Sequence, residues 1–150
     1  MPRLEIGNKE CIRVLARQHL VRVAFLSPEA PYLIPLGYVW LDGALYGVTE
    51  AGYKTRLATA NPTVAFQVDS ALETGLWEWE SVTGTGTFAL ASEQQRAKAL
   101  AALQPMLTEA PDWWRQEQMP RMAAGVLLVW KLTPATMSGC RYVPPSPAGN

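Results

Sequence analysis

The chain is poor in the residues that build metal centres, disulfide frameworks and membrane spans. Its 150 residues include only two cysteines, Cys11 and Cys140, and one histidine, His19. Because the cysteines lie near opposite ends without metal-ligand spacing, we expect free thiols in a reducing compartment and no metal site. Arginines at positions 13, 17 and 22 interrupt every apolar run near the N-terminus, and no other run is long enough to cross a bilayer. We therefore expect a cytoplasmic protein without a membrane partner.

The chain also lacks an excess of either charge. Thirteen basic residues balance thirteen acidic ones, which excludes the basic footprint of a nucleic-acid-binding protein. Hydrophobic residues make up 49% of the sequence and charged residues only 17%, so the length predicts one folded domain with a substantial core. Six tryptophans are many for this length, and such residues are common in ligand clefts and subunit interfaces.

Apolar periodicity predicts a mainly-β fold with peripheral helices. Alternating or apolar runs predict strands at 20–26, 32–41, 44–48, 63–68, 77–90 and 126–132, with 136–142 as a further candidate. Helical patterns cover 8–18, 54–60, 92–107 and 111–120, and the third should bury Ala97, Leu100, Leu103 and Leu107. Strands and helices do not alternate regularly, so the count favours a barrel of six or seven strands over a doubly wound sheet. We expect one domain over residues 1–142 and a flexible tail at 143–150.

The turn after the third predicted strand carries groups that suit a phosphate. Thr49 offers a hydroxyl, Gly52 lets the backbone approach a ligand, and Lys54 adds a positive charge at the start of a short helix. The first N–H groups of a helix have no partner inside it and favour an anion. The alternative is a capped surface helix with a solvated lysine.

The second predicted strand contains a proline and a glycine. Pro35 cannot donate a ladder hydrogen bond, and Gly37 exposes backbone. Such a strand can offer free N–H and C=O groups to a flat polar ring. An ordinary edge strand or a β-bulge explains the same pattern.

Taken in order, these residues resemble the pyridoxamine 5′-phosphate oxidase-like, FMN-binding split-barrel superfamily, and within it the nitroimidazole-reductase-like flavoproteins. The resemblance rests on 31–36 (PYLIPL), Asp42-Gly43, Leu45-Tyr46, Gly52-Tyr53-Lys54, Asn61-Pro62, 64–69, Ser81-Val82, Gly84, Gly86 and 132–139. It implies a homodimeric split barrel with FMN in a cleft between subunits. It also implies that Thr49 and Lys54 hold the FMN phosphate, and that the ring lies along 34–38 and meets the long strand near Ser81. The cofactor-binding residues expected on this basis are Ile34, Pro35, Leu36, Gly37, Tyr38, Thr49, Glu50, Gly52, Tyr53, Lys54, Ser81 and Val82.

The chain departs from its relatives at three places. It has no histidine between Val48 and Ala51, it has Tyr53 where the oxidase has an arginine beside the phosphate lysine, and its tail reads PPSPAGN rather than carrying basic residues. The resemblance therefore predicts an FMN-dependent oxidoreductase of a small molecule that is not pyridoxamine phosphate. We name no catalytic acid or base. The alternatives are a barrel that binds a deazaflavin or haem, and a cofactor-free interaction module.

Overall fold

A computed structural model of the protein describes residues 3–144. Over this range the chain forms eight strands and five helices. The strands are β1 (Arg3–Ile6), β2 (Leu20–Phe25), β3 (Tyr32–Gly37), β4 (Val39–Leu41), β5 (Ala44–Thr49), β6 (Thr63–Asp69), β7 (Glu80–Leu90) and β8 (Leu128–Tyr142). The helices are α1 (Asn8–Arg17), α2 (Tyr53–Ala60), α3 (Ala71–Thr74), α4 (Glu93–Thr108) and α5 (Asp112–Ala123).

All eight strands belong to one curled antiparallel sheet. Seven follow the order β3-β2-β6-β7-β8-β5-β4, and β1 pairs with β8 beside that path. The predicted mainly-β fold with peripheral helices is confirmed, although the strands number eight rather than six or seven. The predicted homodimer and the domain limits stay predictions.

The strand count differs from the prediction for three reasons. The short strand β1 was not predicted, because four residues are too few to show alternation. The predicted strand 32–41 is divided into β3 and β4. The two predicted strands 126–132 and 136–142 merge into the single strand β8, which begins at Leu128 and keeps its pairing with β7 through an irregularity at Thr85 and Gly86. A β-bulge lets a strand bend without ending.

The division between β3 and β4 occurs at Tyr38, which is fully buried. Its hydroxyl donates a 2.7 Å hydrogen bond to the carbonyl of Leu15 in α1. Its N–H donates to the carbonyl of His19. Before this point β3 pairs with β2, and after it β4 pairs with β5. The sheet is therefore open between the free edge of β3 and the end of β5.

The turn between β4 and β5 follows the sequence prediction. Asp42 and Gly43 have φ angles of 48° and 80°. Two successive left-handed residues form the type I′ turn that Asp-Gly favours in hairpins. This turn places Val39 opposite Tyr46 and so fixes the register of β5.

The core fills the inside of the curled sheet. Trp130, Tyr38, Phe25 and Phe88 are its largest fully buried members, and the ring centroids of Phe88 and Trp130 lie 5.2 Å apart. The helix α1 contributes Cys11, Val14 and Leu15 to this core, and α2 contributes Leu57 and Ala58. A second cluster lies on the other side of β5, where α4 packs.

The helices differ from the predictions in detail. In α4, Leu103 and Leu107 are buried as predicted and Leu100 is half-buried, but Ala97 is exposed and Ala99 is buried in its place. The residues that face the sheet are Ala99, Leu103 and Leu107, which are spaced four apart along the helix. The sequence alone did not distinguish this row from the neighbouring row that contains Ala97. Between β6 and β7 the chain forms the short helix α3, and residues 77–79 of the predicted strand 77–90 precede β7 rather than starting it. In the predicted tail, residues 145–150 lie outside the described range.

The two cysteines are free thiols, as predicted. Cys11 lies against Gly139, because a Cβ atom built on this glycine would be only 2.7 Å from the Cys11 sulfur. Cys140, the next residue along β8, points to the opposite face and approaches the Ser81 hydroxyl at 3.4 Å. Between residues 3 and 144, no three His, Cys, Asp or Glu side chains group as metal ligands. No helix in that range is both long and apolar enough to span a bilayer.

Candidate functional site

The first turn of α2 is shaped by its own residues. The Thr55 hydroxyl donates to the carbonyl of Gly52 at 2.8 Å and accepts the Gly52 N–H at 2.9 Å. A Cβ added at Gly52 would meet nothing within 4 Å, so the surface beside this turn is open. Because a helix cannot satisfy its first N–H groups internally, those of Tyr53, Lys54 and Thr55 are available to an acceptor.

Thr49 and Lys54 lie on either side of this turn. Thr49 is buried at the end of β5, and its hydroxyl donates only a long 3.2 Å bond to the neighbouring Glu50 carbonyl. Lys54 is half-buried. No carboxylate among residues 3–144 lies within ion-pair distance of it. A hydroxyl, an ammonium group and helix N–H groups form a donor set with the chemistry that a phosphate requires. We refer to these groups as the phosphate corner.

Glu50 turns away from this donor set toward α5. Its carboxylate forms an ion pair with the guanidinium of Arg121, and both side chains are partly exposed. The pairing offsets a negative charge that would otherwise repel an anion at the neighbouring corner.

Tyr53 is engaged in contacts within the chain. Its hydroxyl is 3.0 Å from the Ser27 hydroxyl, and its ring packs edge-on against Tyr32 at 4.9 Å between centroids. The guanidinium of Arg56 lies 5.9 Å above the Tyr53 ring. Arg56 is a second cation next to Thr55, and it was not among the predicted cofactor-binding residues.

The strand β3 is an edge strand, in agreement with the position of Pro35. Ile34 and Leu36 pack against the core, whereas Pro35 and Gly37 are exposed on the outer face. The Tyr38 N–H points to β2, and the backbone groups of successive residues in a strand point alternately to its two sides. The N–H and C=O groups of Leu33, Pro35 and Gly37 therefore point to the free edge, except that Pro35 has no N–H. The missing N–H of Pro35 therefore costs no bond to β2. This edge presents unpaired N–H and C=O groups to a ligand.

The free edge of β3 comes close to β5 at one point. A Cβ built at Gly47 would lie 2.5 Å from the Gly37 carbonyl oxygen and 2.5 Å from a ring carbon of Trp130. The indole Nε1 of Trp130 is the one buried side-chain polar atom without a partner in the described part of the chain. Sequence patterns could not reveal this contact, because it joins three segments that are distant in the chain.

Tyr38 and Val82 offer little to a ligand beyond their backbone. Tyr38 uses its hydroxyl and N–H inside the fold, and burial raises the pKa of its phenol. Val82 is fully buried in the core. Their assignment to the cofactor site stays a prediction.

Ser81 lies on the outer face of the sheet, three strands away from β3. The path runs from β3 through β2 and β6 to β7, a separation of roughly 14 Å at the usual strand spacing. The gap is filled by Arg22, which lies 3.0 Å from the Asp69 carboxylate and 3.1 Å from the Gln67 amide oxygen. Burial alone would raise the pKa of Asp69, but hydrogen bonds from Gln67 and the Ala71 N–H, together with Arg22, lower it overall. Ser81 pairs with Cys140 of β8, whereas Thr49 pairs with Leu128 at the other end of that strand. One copy of the chain therefore does not bring Ser81 to the phosphate corner.

Comparison with known proteins identifies the family. Residues 7–141 match the sequence profile of the pyridoxamine 5′-phosphate oxidase family. Since this match spans most of the chain, the protein belongs to that family, and the resemblance drawn from the sequence is confirmed.

Solved structures share the fold. An FAD-binding protein from Mesorhizobium loti superposes with a TM-score of 0.77 at 25% identity, covering 95% of this chain and all of the other. A candidate 5-nitroimidazole antibiotic resistance protein from Bacteroides thetaiotaomicron gives 0.70 at 16% identity, covering 93% of this chain and 87% of its own. An FAD-binding protein from Mycobacterium smegmatis gives 0.65 at 20% identity, covering 92% and 96%.

Proposed function

We propose that this member of the pyridoxamine 5′-phosphate oxidase family binds FMN and acts as an oxidoreductase on a small molecule. The observation that carries the proposal is the phosphate corner: a half-buried lysine without an ion pair in the described chain, next to a buried threonine hydroxyl and a helix N-terminus. A flavin phosphate would give each of these groups a charged partner. The two FAD-binding relatives support a flavin rather than an unrelated phosphate ligand.

The ring of the flavin would lie along the free edge of β3. Isoalloxazine carries hydrogen-bond donors and acceptors on one edge, and the backbone of Leu33, Pro35 and Gly37 offers groups of both kinds. Backbone contacts of this type require no particular side chain, so they are consistent with the apolar sequence of β3. The bound flavin would supply the hydride or electron transfer, while the chain binds and orients it.

We further propose that the protein acts as a homodimer with the cofactor between subunits. An exposed patch of small polar side chains across β7 and β8 consists of Thr83, Thr85, Thr136 and Ser138. Ser81 borders this patch and lies too far from its own phosphate corner to share a ligand with it. A second copy seated on the patch would bring its own edge strand near Ser81.

Isolation of the protein with its native ligand tests the cofactor. The purified full-length chain is expected to show flavin absorption bands, and mass spectrometry of the heat-released ligand is expected to give FMN. Release of FAD or a deazaflavin would correct the cofactor and retain the site. A Soret band, or no bound chromophore together with no binding of added FMN, would overturn the proposal.

Turnover is tested separately from binding. Anaerobic reduction of the bound flavin by NADH or NADPH, followed by reoxidation with a quinone, is expected if the protein is an oxidoreductase. Dithionite reduces the bound flavin without enzyme action and is the positive control. A flavin that dithionite reduces but neither NADH nor NADPH reduces would contradict the proposed oxidoreductase activity with these donors.

A further inference from the structure

We propose that a groove beside the edge strand binds a neutral, planar aromatic molecule, and that this molecule is the substrate of the proposed flavin. The groove lies between the end of β3, the end of β5 and the α4–α5 connection. It is lined by Gly37, Val48, Leu103, Met106, Trp113 and Trp114. We call it the tryptophan groove. Its identity as a substrate site depends on the proposed function, but its ability to bind such a molecule does not.

The size of the tryptophan groove suits a small molecule. Its volume is about 530 Å³, which falls within the range of ligand clefts. Its walls come from two strands and two helices, so the shape depends on the tertiary fold rather than on one flexible loop. A ring system of two or three fused rings would fit with room for a substituent.

The side chains of the groove favour an aromatic ligand. Trp113 is 66% exposed, although burying an indole ring away from water is more favourable than burying most other side chains. Trp114 is half-buried and packs on the second core cluster together with Met106. An indole face and a thioether both pack well on flat rings. Because α5 has no fully buried residue, packing of the helix does not account for Trp113.

The charge of the groove favours a neutral ligand. Among residues 3–144, Glu109 is the single charged residue that lines it, so an anion would meet a negative charge there and no cation of this range. Glu109 is exposed, and water screens its charge enough that it does not select a cation strongly. The phosphate corner, in contrast, carries a lysine and hydrogen-bond donors that favour an anion. The two sites would therefore bind groups of different charge.

The position of the groove connects it to the proposed flavin. Gly37 belongs both to the groove and to the free edge of β3, along which the ring would lie. Val48 faces the groove, while the next residue, Thr49, faces the other side of β5 and belongs to the phosphate corner. A molecule in the groove would therefore lie beside the ring end of the flavin and away from its phosphate.

The test compares three variants and two probes. The probes are menadione, a neutral bicyclic quinone, and 1,4-naphthoquinone-2-sulfonate, its anionic counterpart. Trp113→Ala is expected to weaken menadione binding by about tenfold, and Trp113→Phe is expected to weaken it less. Trp77→Ala is the matched control, since Trp77 is 77% exposed and lies outside the groove. Equilibrium dialysis on the flavin-loaded and flavin-free protein gives the dissociation constants.

Other outcomes would overturn the inference. One is equal menadione affinity in all variants, and another is tighter binding of the sulfonate than of menadione. A third is loss of FMN affinity in Trp113→Ala, because this result would make the groove part of the cofactor site. If Trp113→Ala does not fold, chemical-shift changes of the Trp113 indole N–H and the Met106 methyl on adding menadione to the unaltered chain decide the question. Menadione binding that depends on Trp113 in a protein that binds no flavin would retain the groove and refute only the proposed function.

Discussion

The hydroxyl of Tyr38 donates a 2.7 Å hydrogen bond to the carbonyl of Leu15, which ties the junction of β3 and β4 to the last turn of α1. Carbonyls in the last turn of a helix have no intrahelical donor, so the phenol satisfies a group that would otherwise be orphaned. This contact holds the chain where the sheet opens and thereby positions the free edge of β3.

Tyr38→Phe is expected to lower the free energy of unfolding by about 1–3 kcal/mol, because it leaves the buried Leu15 carbonyl without a donor. Urea denaturation followed by circular dichroism measures the change. Tyr142→Phe serves as the control, since the Tyr142 ring packs at a tilt against Trp79, with 4.3 Å between centroids, and the substitution keeps that contact. Equal stability losses in the two variants would contradict a specific role for the Tyr38 hydroxyl.

Lys54→Ala is expected to weaken FMN binding by about ten- to a hundredfold, because a charged hydrogen bond contributes roughly 1.5–3 kcal/mol. Titration of the flavin-free protein with FMN, followed by flavin fluorescence, measures the affinity. The control is Lys98→Ala, which removes an exposed lysine from α4. Unchanged affinity in a folded Lys54→Ala protein would refute the phosphate corner.

Gly47→Ala is expected to destabilise the fold by about 1–3 kcal/mol, since an added methyl group meets the Gly37 carbonyl and the Trp130 ring at 2.5 Å. The same change at Gly52 meets nothing within 4 Å and is expected to alter stability by less than about 0.5 kcal/mol. Thermal and urea unfolding of both variants test the contrast. A Gly47→Ala protein as stable as the parent would show that β3 can move away from β5 at little cost.

Asp69 predicts a defined pH dependence. Its pKa is lowered in the folded state, so its contribution to stability is present above the unfolded pKa of 3.8 and is lost as the pH falls through the folded pKa. Asp69→Asn should therefore be less stable than the parent at neutral pH, and the difference should shrink below about pH 4. Urea unfolding of the parent and of Asp69→Asn between pH 7 and pH 3 measures how the free energy of unfolding of each protein depends on pH. A difference that does not depend on pH would assign the effect to packing instead.

The sequence predicted the backbone features around the candidate site, because the signals there are local. The Asp42-Gly43 turn, the edge position of the strand that contains Pro35 and the short helix after Gly52 each follow from backbone preferences of a few residues, and all three occur in the structure. Arg56 and the tryptophan groove were missed. An arginine inside a helix has no pattern that marks it as facing a site, and the groove joins residues more than sixty positions apart.

The sequence by itself determined that this chain is a mainly-β member of its family with a cationic turn after β5, because periodicity, turn residues and ordered motifs are written within short stretches. Only the tertiary structure decided where the sheet opens, which edge of β3 is free and what lies beside it. Those features depend on pairing between distant strands and on one buried tyrosine that anchors a strand junction to a helix. Local preferences fix the elements, whereas burial and hydrogen bonding between distant segments fix how they enclose a site.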